Sequence, residues 1–440
     1  MMKQASDWNV SICPVEAASQ KSATEIWIMI SEAYVTLVLP GQTTPTVVGR
    51  LRIEQTGRDI QASFVYGQRY CQNPNAIPLD PLRLPLDSNR TFEAPGLWGL
   101  LGVFRDASPD YWGRMVIERE NNVPELPEIE YLLRAGPTRI GALGFQHKLE
   151  NEQSAENPVG FISLPDLLDA SRRLEANAPI DEPLMLLLRQ GTSIGGARPK
   201  ATIVEDDTYW LAKFPSRDDR MDIPAIEYAT MKLAEASGIN TPESRLLILD
   251  DEQHVYLTRR FDRAHTQQGW QRYHYMSGLT VLGLNEYDNA NGSYPELADA
   301  LRQLSVDFKA DAEELFRRMV FNILISNDDD HLRNHAFLYS PQGWRLSPAY
   351  DLIPHAQIGY ERHQSIIVGK YGREGSLKNT MSEAGRFGLT DDKALTIINE
   401  IKAVVSQWNE LFIEHGVSEN DMELLQSAFL PESTLRDIQI

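Results

Sequence analysis

Apolar and polar positions alternate along the front of this chain and shift to a helical period towards its back. Ile26–Ile30, Ala33–Leu39, Val47–Ile53 and Ile60–Tyr66 carry the two-residue alternation that predicts strands, punctuated by Pro40-Gly41. Leu97–Glu120 repeats at helical spacing after the opening Ala94-Pro95-Gly96. Polar Glu150–Pro158 reads as an exposed linker, and Ser163–Ala176 and Pro183–Arg189 as helices. Short strands are predicted over Ala201–Val204, Thr208–Phe214 and His254–Leu257, with a helix from about Pro224 to Ser237. Beyond Arg263 the pattern is chiefly helical: Leu297–Leu304, Ala312–Ser326 and Asp391–His415. The interruption is a hairpin, with His335–Tyr339 going out, a turn at Ser340–Gly343, and Trp344–Leu346 returning. The expected architecture is α/β, with a mixed front and a mainly helical back, divided into a poorly structured tail at residues 1–24, an N-terminal subdomain at 25–150, a mixed lobe at 151–263 and a helical lobe at 264–440.

Charge and cysteine usage narrow the function classes. A formal charge of -20 argues against this chain gripping a nucleic-acid backbone by itself, because such binding depends on neutralising phosphates. Cys13 and Cys71 are too few for a disulfide framework and suit a reducing cytoplasm. The N-terminus lacks the basic start and apolar core of a secretory signal. No apolar run reaches the roughly 18 residues of a spanning helix, so no membrane is expected.

Candidate chemistry concentrates in Ile323–Asp351. The Ala312–Ser326 helix runs into Asp328, Asp329 and Asp330, followed by Asn334, the hairpin and Asp351. Phosphoryl transfer needs a carboxylate to take the acceptor hydroxyl's proton and oxygen ligands for magnesium. Asp329 suits the base, and Asn334 and Asp351 the metal. A solvated acidic loop is the bland alternative. His331 and His335 stand four apart and raise a zinc or di-metal phosphohydrolase as another.

Upstream, Gly191–Lys200 is small, flexible and ends in cations: Gly195 and Gly196 allow close backbone approach to an anion, and Arg198 or Lys200 can meet its charge. Lys213 lies on an otherwise apolar strand and asks for an anionic partner. Glu227, on the next helix, is the candidate. Arg259, Arg260 and Phe261 follow a strand where a hinge between two lobes belongs.

Taken together, SIGGARPK, WLAKF, RRFDR, NDDDHLRNH and SPAYDL resemble the HipA family of bacterial Ser/Thr protein kinases, the toxin halves of HipA–HipB toxin–antitoxin pairs. The resemblance spans roughly residues 30–430, and Leu100–Arg114 and Arg139–Phe145 are similar to the family's extra N-terminal subdomain. It implies a two-lobed protein-kinase-like fold using ATP and Mg. By position it implies Asp329 as base, Asn334 and Asp351 as magnesium ligands and Lys213 on the ATP phosphates. Nucleotide contacts are implied for Gly195, Gly196, Ala197, Arg198, Pro199 and Lys200, for the hinge Arg259, Arg260 and Phe261, and for His331, Leu332, Arg333, Asn334, Tyr350 and Asp351. Ser193 matches the serine that family members autophosphorylate, with Thr192 beside it. Pro199 and Arg259 depart from acidic residues common at those places. The implied partners are a HipB-like helix-turn-helix antitoxin, through which any DNA contact would run, and a protein substrate; relatives phosphorylate aminoacyl-tRNA synthetases. The competing reading is a catalytically weak kinase-like binding protein that acts as co-repressor.

Overall fold

A computed structural model describes residues 11–14, 27–94, 98–149, 159–160, 163–191, 196–249, 253–359 and 361–429. The alternation at the front builds an antiparallel sheet in the order Ser11–Pro14, Trp27–Val38, Pro45–Thr56, Asp59–Tyr66 and Thr91–Glu93, with Leu143–Gln146 pairing along Trp27–Val38. Val35, Leu37, Leu51, Ile53 and Phe64 point inward and are fully buried, while Arg50 and Arg52 face out between them. Each such apolar side chain contributes roughly 2 kcal/mol of burial. Two expectations change here. Ser31-Glu32 lacks turn chemistry, so Trp27–Val38 is one continuous strand rather than two. Ser11–Pro14, inside the stretch read as poorly structured, pairs with Trp27–Ile30. The Glu150–Pro158 linker lies outside the described residues.

Leu97–Glu120 is not one helix. Trp98–Gly99 pairs as a strand, Gly102–Ala107 is a first helix, and Tyr111–Asn121 a second. Pro109 sits at the break, where its ring and missing N–H disfavour continuation of the first helix. Asp110 then caps the second helix, its side chain accepting from the Gly113 N–H.

A second sheet runs Ser244–Ile248, His254–Arg259, Thr208–Lys213, Lys200–Glu205 and Val159–Gly160, antiparallel except for the last pair. Its central hairpin turns on Asp206 and Asp207, both at positive φ (45° and 56°). Two such residues make the type I′ turn that matches strand twist. That turn sets the register placing Lys213 opposite Lys200. By the two-residue period, Ala201, Ile203, Trp210, Ala212, Val255 and Leu257 fall on one face, buried with Leu164, Leu167 and Trp112. Lys200, Leu211, Lys213, Tyr256 and Thr258 fall on the other, which faces a cavity.

The back is helical around Phe308–Leu324, whose Leu315, Phe316, Met319, Val320 and Ile323 are fully buried. This helix stops two residues before the expected Ser326. Ser326 is left-handed (φ 51°), its N–H reaches the Ile323 carbonyl, and the Asn327 N–H reaches Asn322. This is the Schellman closure of a helix end, and it aims the chain into the acidic loop. Asp391–His415 likewise divides into Asp391–Val405 and Trp408–Glu414. Ala336–Ser340 pairs with Gly343–Leu346 and with His274–Ser277.

Candidate active site

A cavity of about 600 Å³ lies between the second sheet and the helical lobe. The Lys213 strand forms its roof, the loop from Asn327 to Asn334 and the corner at Tyr350-Asp351 its floor, and Pro109–Tyr111 of the first domain a side wall. Its volume is in the range of small-molecule sites.

Lys213 Nζ donates to Glu227 Oε1 at 2.5 Å and to the Asp351 carboxylate. Glu227 is 2 % exposed on the Ile223–Ala236 helix. A buried ammonium between two acids is the only arrangement in which these charges tolerate low polarity. Burial alone would pull the lysine down, but Asp351 and Glu227 outweigh it and hold it above the ordinary lysine range. Burial likewise opposes ionisation of Asp351, and Lys213 more than offsets this, leaving that carboxyl below its usual range. Asp351 is left-handed (φ 54°), a conformation that costs a non-glycine residue on the order of 1 kcal/mol. It turns the carboxylate into the cleft beneath Lys213.

The three consecutive acids have three different fates. Asp328 is half-exposed and bonded to His355 Nδ1 (2.5 Å) and Gln357 Nε2 (2.9 Å). Asp330 is buried, accepting from the Tyr294 hydroxyl and lying 3.1 Å from His335 Nε2. Asp329 is exposed to the cleft, and its carboxylate makes no hydrogen bond among the described residues. Its backbone is fixed instead, with the carbonyl accepting from the His331 N–H (2.8 Å) and from Asn334 Nδ2 (3.2 Å). That donation leaves the Asn334 side-chain oxygen as an acceptor. An unengaged carboxylate on a rigid backbone can take a proton from an incoming hydroxyl.

The oxygens of Asn334 and Asp351 line the same cleft and are the hard donors that magnesium prefers. His331 Nδ1 is buried beside them with no hydrogen-bond partner among the described residues. Both features suit a phosphate-bearing ligand with its cation. They do not suit the His331–His335 zinc pair, because His335 is buried against Tyr294 and Asp330. Among the described residues, no group of three or more His, Cys, Asp or Glu side chains is placed to hold a metal. No described helix is long and apolar enough to cross a membrane.

The HipA-like C-terminal domain matches residues 192–408, and the HipA N-terminal domain matches residues 43–146. The chain belongs to the HipA family. It is 28% identical over 191 residues to a Haemophilus influenzae protein with a provisional kinase name, covering 39% of this chain and 55% of that one. It is 34% identical over 160 residues to a similarly named Sinorhizobium fredii protein, covering 33% and 37%. The chain thus spans about half or less of the length of these curated relatives. The HipA chain of the Shewanella oneidensis toxin–antitoxin complex of HipA, HipB and operator DNA superposes with a TM-score of 0.64 at 16% identity, over 90% of this chain and 94% of that one. The fold is therefore the two-lobed, kinase-like fold of HipA.

Against that HipA fold the remaining expected residues separate. Gly196, Ala197, Arg198 and Lys200 line the cleft, as do Arg259, Phe261, His331, Arg333 and Tyr350. Phe261 and Tyr350 form an aromatic wall, ring centroids 5.5 Å apart. Thr192, Ser193 and Gly195 lie outside the described residues. Two expectations need correcting. Leu332 is fully buried and its N–H is taken by Asn289 Oδ1, so it packs the loop instead of contacting a ligand. Pro199 is buried, absent from the cleft lining, and its carbonyl accepts from the Phe214 N–H. Arg260 also reaches the cleft wall, as expected, while its side chain, 4 % exposed, is bonded to Asp262 and to the Thr138 carbonyl and so braces the hinge. Several cleft residues were missed, Asp110, Tyr256 and His355 among them. Asp110 reaches in from the first domain and bonds Lys200 Nζ at 2.9 Å. Its only local signal, Ser-Pro-Asp before a helical run, is that of an N-cap.

Proposed function

We propose that this HipA-family chain is an ATP- and magnesium-dependent Ser/Thr protein kinase. The observation that carries the reading is Lys213, held between Glu227 and Asp351 at the roof of a cleft with Asp329 unengaged at its floor. Bound ATP would supply the transferable phosphoryl group. Lys213 and Lys200 face that group's charge from adjacent strands. Phe261 and Tyr350 offer a flat apolar wall to a purine. Asn334 and Asp351 are the oxygens that would hold magnesium. Asp329 orients the acceptor hydroxyl and takes its proton. Ser193 is the proposed autophosphorylation position, where a phosphate of nearly two negative charges would change the loop's electrostatics. A basic HipB-like partner suits the net charge of -20, and the cytoplasm is the proposed location.

Incubating the purified chain with labelled ATP and magnesium, alone and with cell lysate, tests this. Label on the chain and on a lysate protein is expected, lost with Asp329→Asn or excess chelator. Incorporation that persists undiminished in the Asp329 variant would remove the assignment. A wild-type chain that binds ATP without turnover would favour the co-repressor reading.

A further inference from the structure

We propose that Asp110, contributed by the first domain, is a positioning residue of the nucleotide site, acting by holding the Lys200 ammonium over the cleft. The inference rests on the kinase reading and extends it to a domain outside the two lobes.

Lys200 is 3 % exposed, directly across the ladder from Lys213. Two like charges directly opposite on one sheet face repel. Lys213 is steadied by acids of its own lobes. Lys200 is steadied from the first domain at both ends: Asp110 Oδ2 accepts from its Nζ at 2.9 Å, and Trp112 Nε1 donates to its carbonyl at 3.0 Å. Asp110 Oδ1 meanwhile caps its own helix through the Gly113 N–H at 2.8 Å, which fixes the carboxylate's orientation. Gly196 covers the ammonium so closely that an added Cβ would lie 2.4 Å from Nζ, and its φ of 122° suits only glycine. The loop and the carboxylate together confine the ammonium to one position on the cavity wall. Burial and Lys213 disfavour the charged lysine; Asp110, which bonds it directly, is its strongest anionic support, with Asp351 adding to it. Asp110 thus keeps a second positive charge available to a polyphosphate.

Asparagine and serine cap helices as well as aspartate does, so Asp110→Asn and Asp110→Ser remove the charge and keep the helix. Magnesium-ATP affinity by calorimetry, KM and kcat for ATP, and thermal midpoint are measured on the full chain. Both variants are expected to raise Kd and KM for ATP on the order of tenfold, the scale of one charge-assisted contact. kcat per folded molecule is expected to stay within about twofold, since the contact serves ground and transition states alike, while the midpoint falls because a buried ammonium loses its partner. Asp110→Glu recovers part of the affinity. In a Lys200→Met background the Asp110 change adds nothing further. ATP binding equal to or tighter than wild type in both neutral variants overturns the proposal, as does full additivity with Lys200→Met. A wild-type chain that binds no ATP instead removes the kinase reading beneath it.

Discussion

Two of the charge clusters among the described residues flank the hinge, and they are built to opposite ends. In the cleft, Lys213 joins Glu227 and Asp351, and the Asp351 side chain is 38 % exposed to the cavity. Behind the hinge, Arg260, Asp262 and Arg263 have side chains at most 2 % exposed. There Asp262 Oδ1 accepts from Arg260 Nε, and Oδ2 from Arg260 Nη2, Arg263 Nη1 and the Gly141 N–H. The two arginines spend further donors on the carbonyls of Thr138, Arg139 and Gly141. The first cluster keeps coordination capacity pointed at empty volume, while the second, although Arg260 and Asp262 reach the cavity wall, spends most of its donors and acceptors on fixed partners and joins the first domain to the lobes. Buried charge alone does not mark a functional site; an open face does.

The largest effect that tests this contrast belongs to the open side. Asp329→Asn should lower phosphoryl transfer on the order of 10³-fold, the usual weight of a positioned base. ATP affinity and thermal midpoint should hold, because no described group depends on that carboxylate. A matching fall in stability would place Asp329 among the structural acids.

On the closed side, Asp262→Asn leaves two buried guanidinium groups facing a neutral amide. Breaking such a pair costs about 3–4 kcal/mol, visible as a lower denaturant midpoint. Retained ATP affinity per folded molecule would complete the contrast. A stability change below about 1 kcal/mol would show that the hinge network is not the brace its geometry describes.

Buried groups away from the cleft floor, His274 as well as Asp262, also predict a pH dependence. Burial drives the His274 imidazole down to about 4, against a 2.7 Å hydrogen bond from Nε2 to the Leu79 carbonyl. Its folded value lies below its unfolded one, so the unfolded chain binds the extra proton first. Stability is therefore complete above about pH 6.5 and lost as pH falls towards 4, by roughly 3 kcal/mol. Asp262 adds a second, more acidic step. Burial opposes its ionisation, but Arg260 and Arg263 overrule that and hold it at about 2. Its stabilisation is present above about pH 3.9 and fades towards 2. Unfolding followed at pH 7, 5 and 4 should show the first loss, and a flat profile would contradict it.

What the sequence disclosed divides along the same line. Lys213, Glu227, Asp329, Asn334 and Asp351 were legible because each sits in a short local pattern whose period or turn fixes where it points. The strand alternation put Lys213 on the cavity face, and the Asp206-Asp207 turn locked its register. The hinge brace was not legible: Arg260 meets Thr138 across 122 residues, and a carbonyl acceptor leaves no mark in sequence. Asp110 was hidden in the same way, 90 residues from Lys200. Leu332 and Pro199 were taken for ligand contacts because they lie inside motifs; a motif reports neighbours in sequence, whereas burial decides which of them face the cleft.

The smallest prediction is the sharpest, since it compares adjacent residues of identical chemistry. Asp328 and Asp329 share a loop. Burial raises the Asp328 carboxyl, but Gln357 and His355 more than offset this and hold it below its usual range. That site is half solvated, so its polar contacts contribute under about 1 kcal/mol after screening. Asp328→Asn keeps a hydrogen-bond acceptor for Gln357 and should change both stability and phosphoryl transfer by less than about twofold in the corresponding constants. Side by side, the two amide variants ask whether function follows the acidity of the loop or the direction of one carboxylate. If acidity were what counted, by drawing cations or a basic partner, the two losses would be alike. If direction counts, one methylcarboxylate is indispensable and its neighbour is replaceable, and equal loss of transfer in both variants would defeat the assignment of Asp329 as the base.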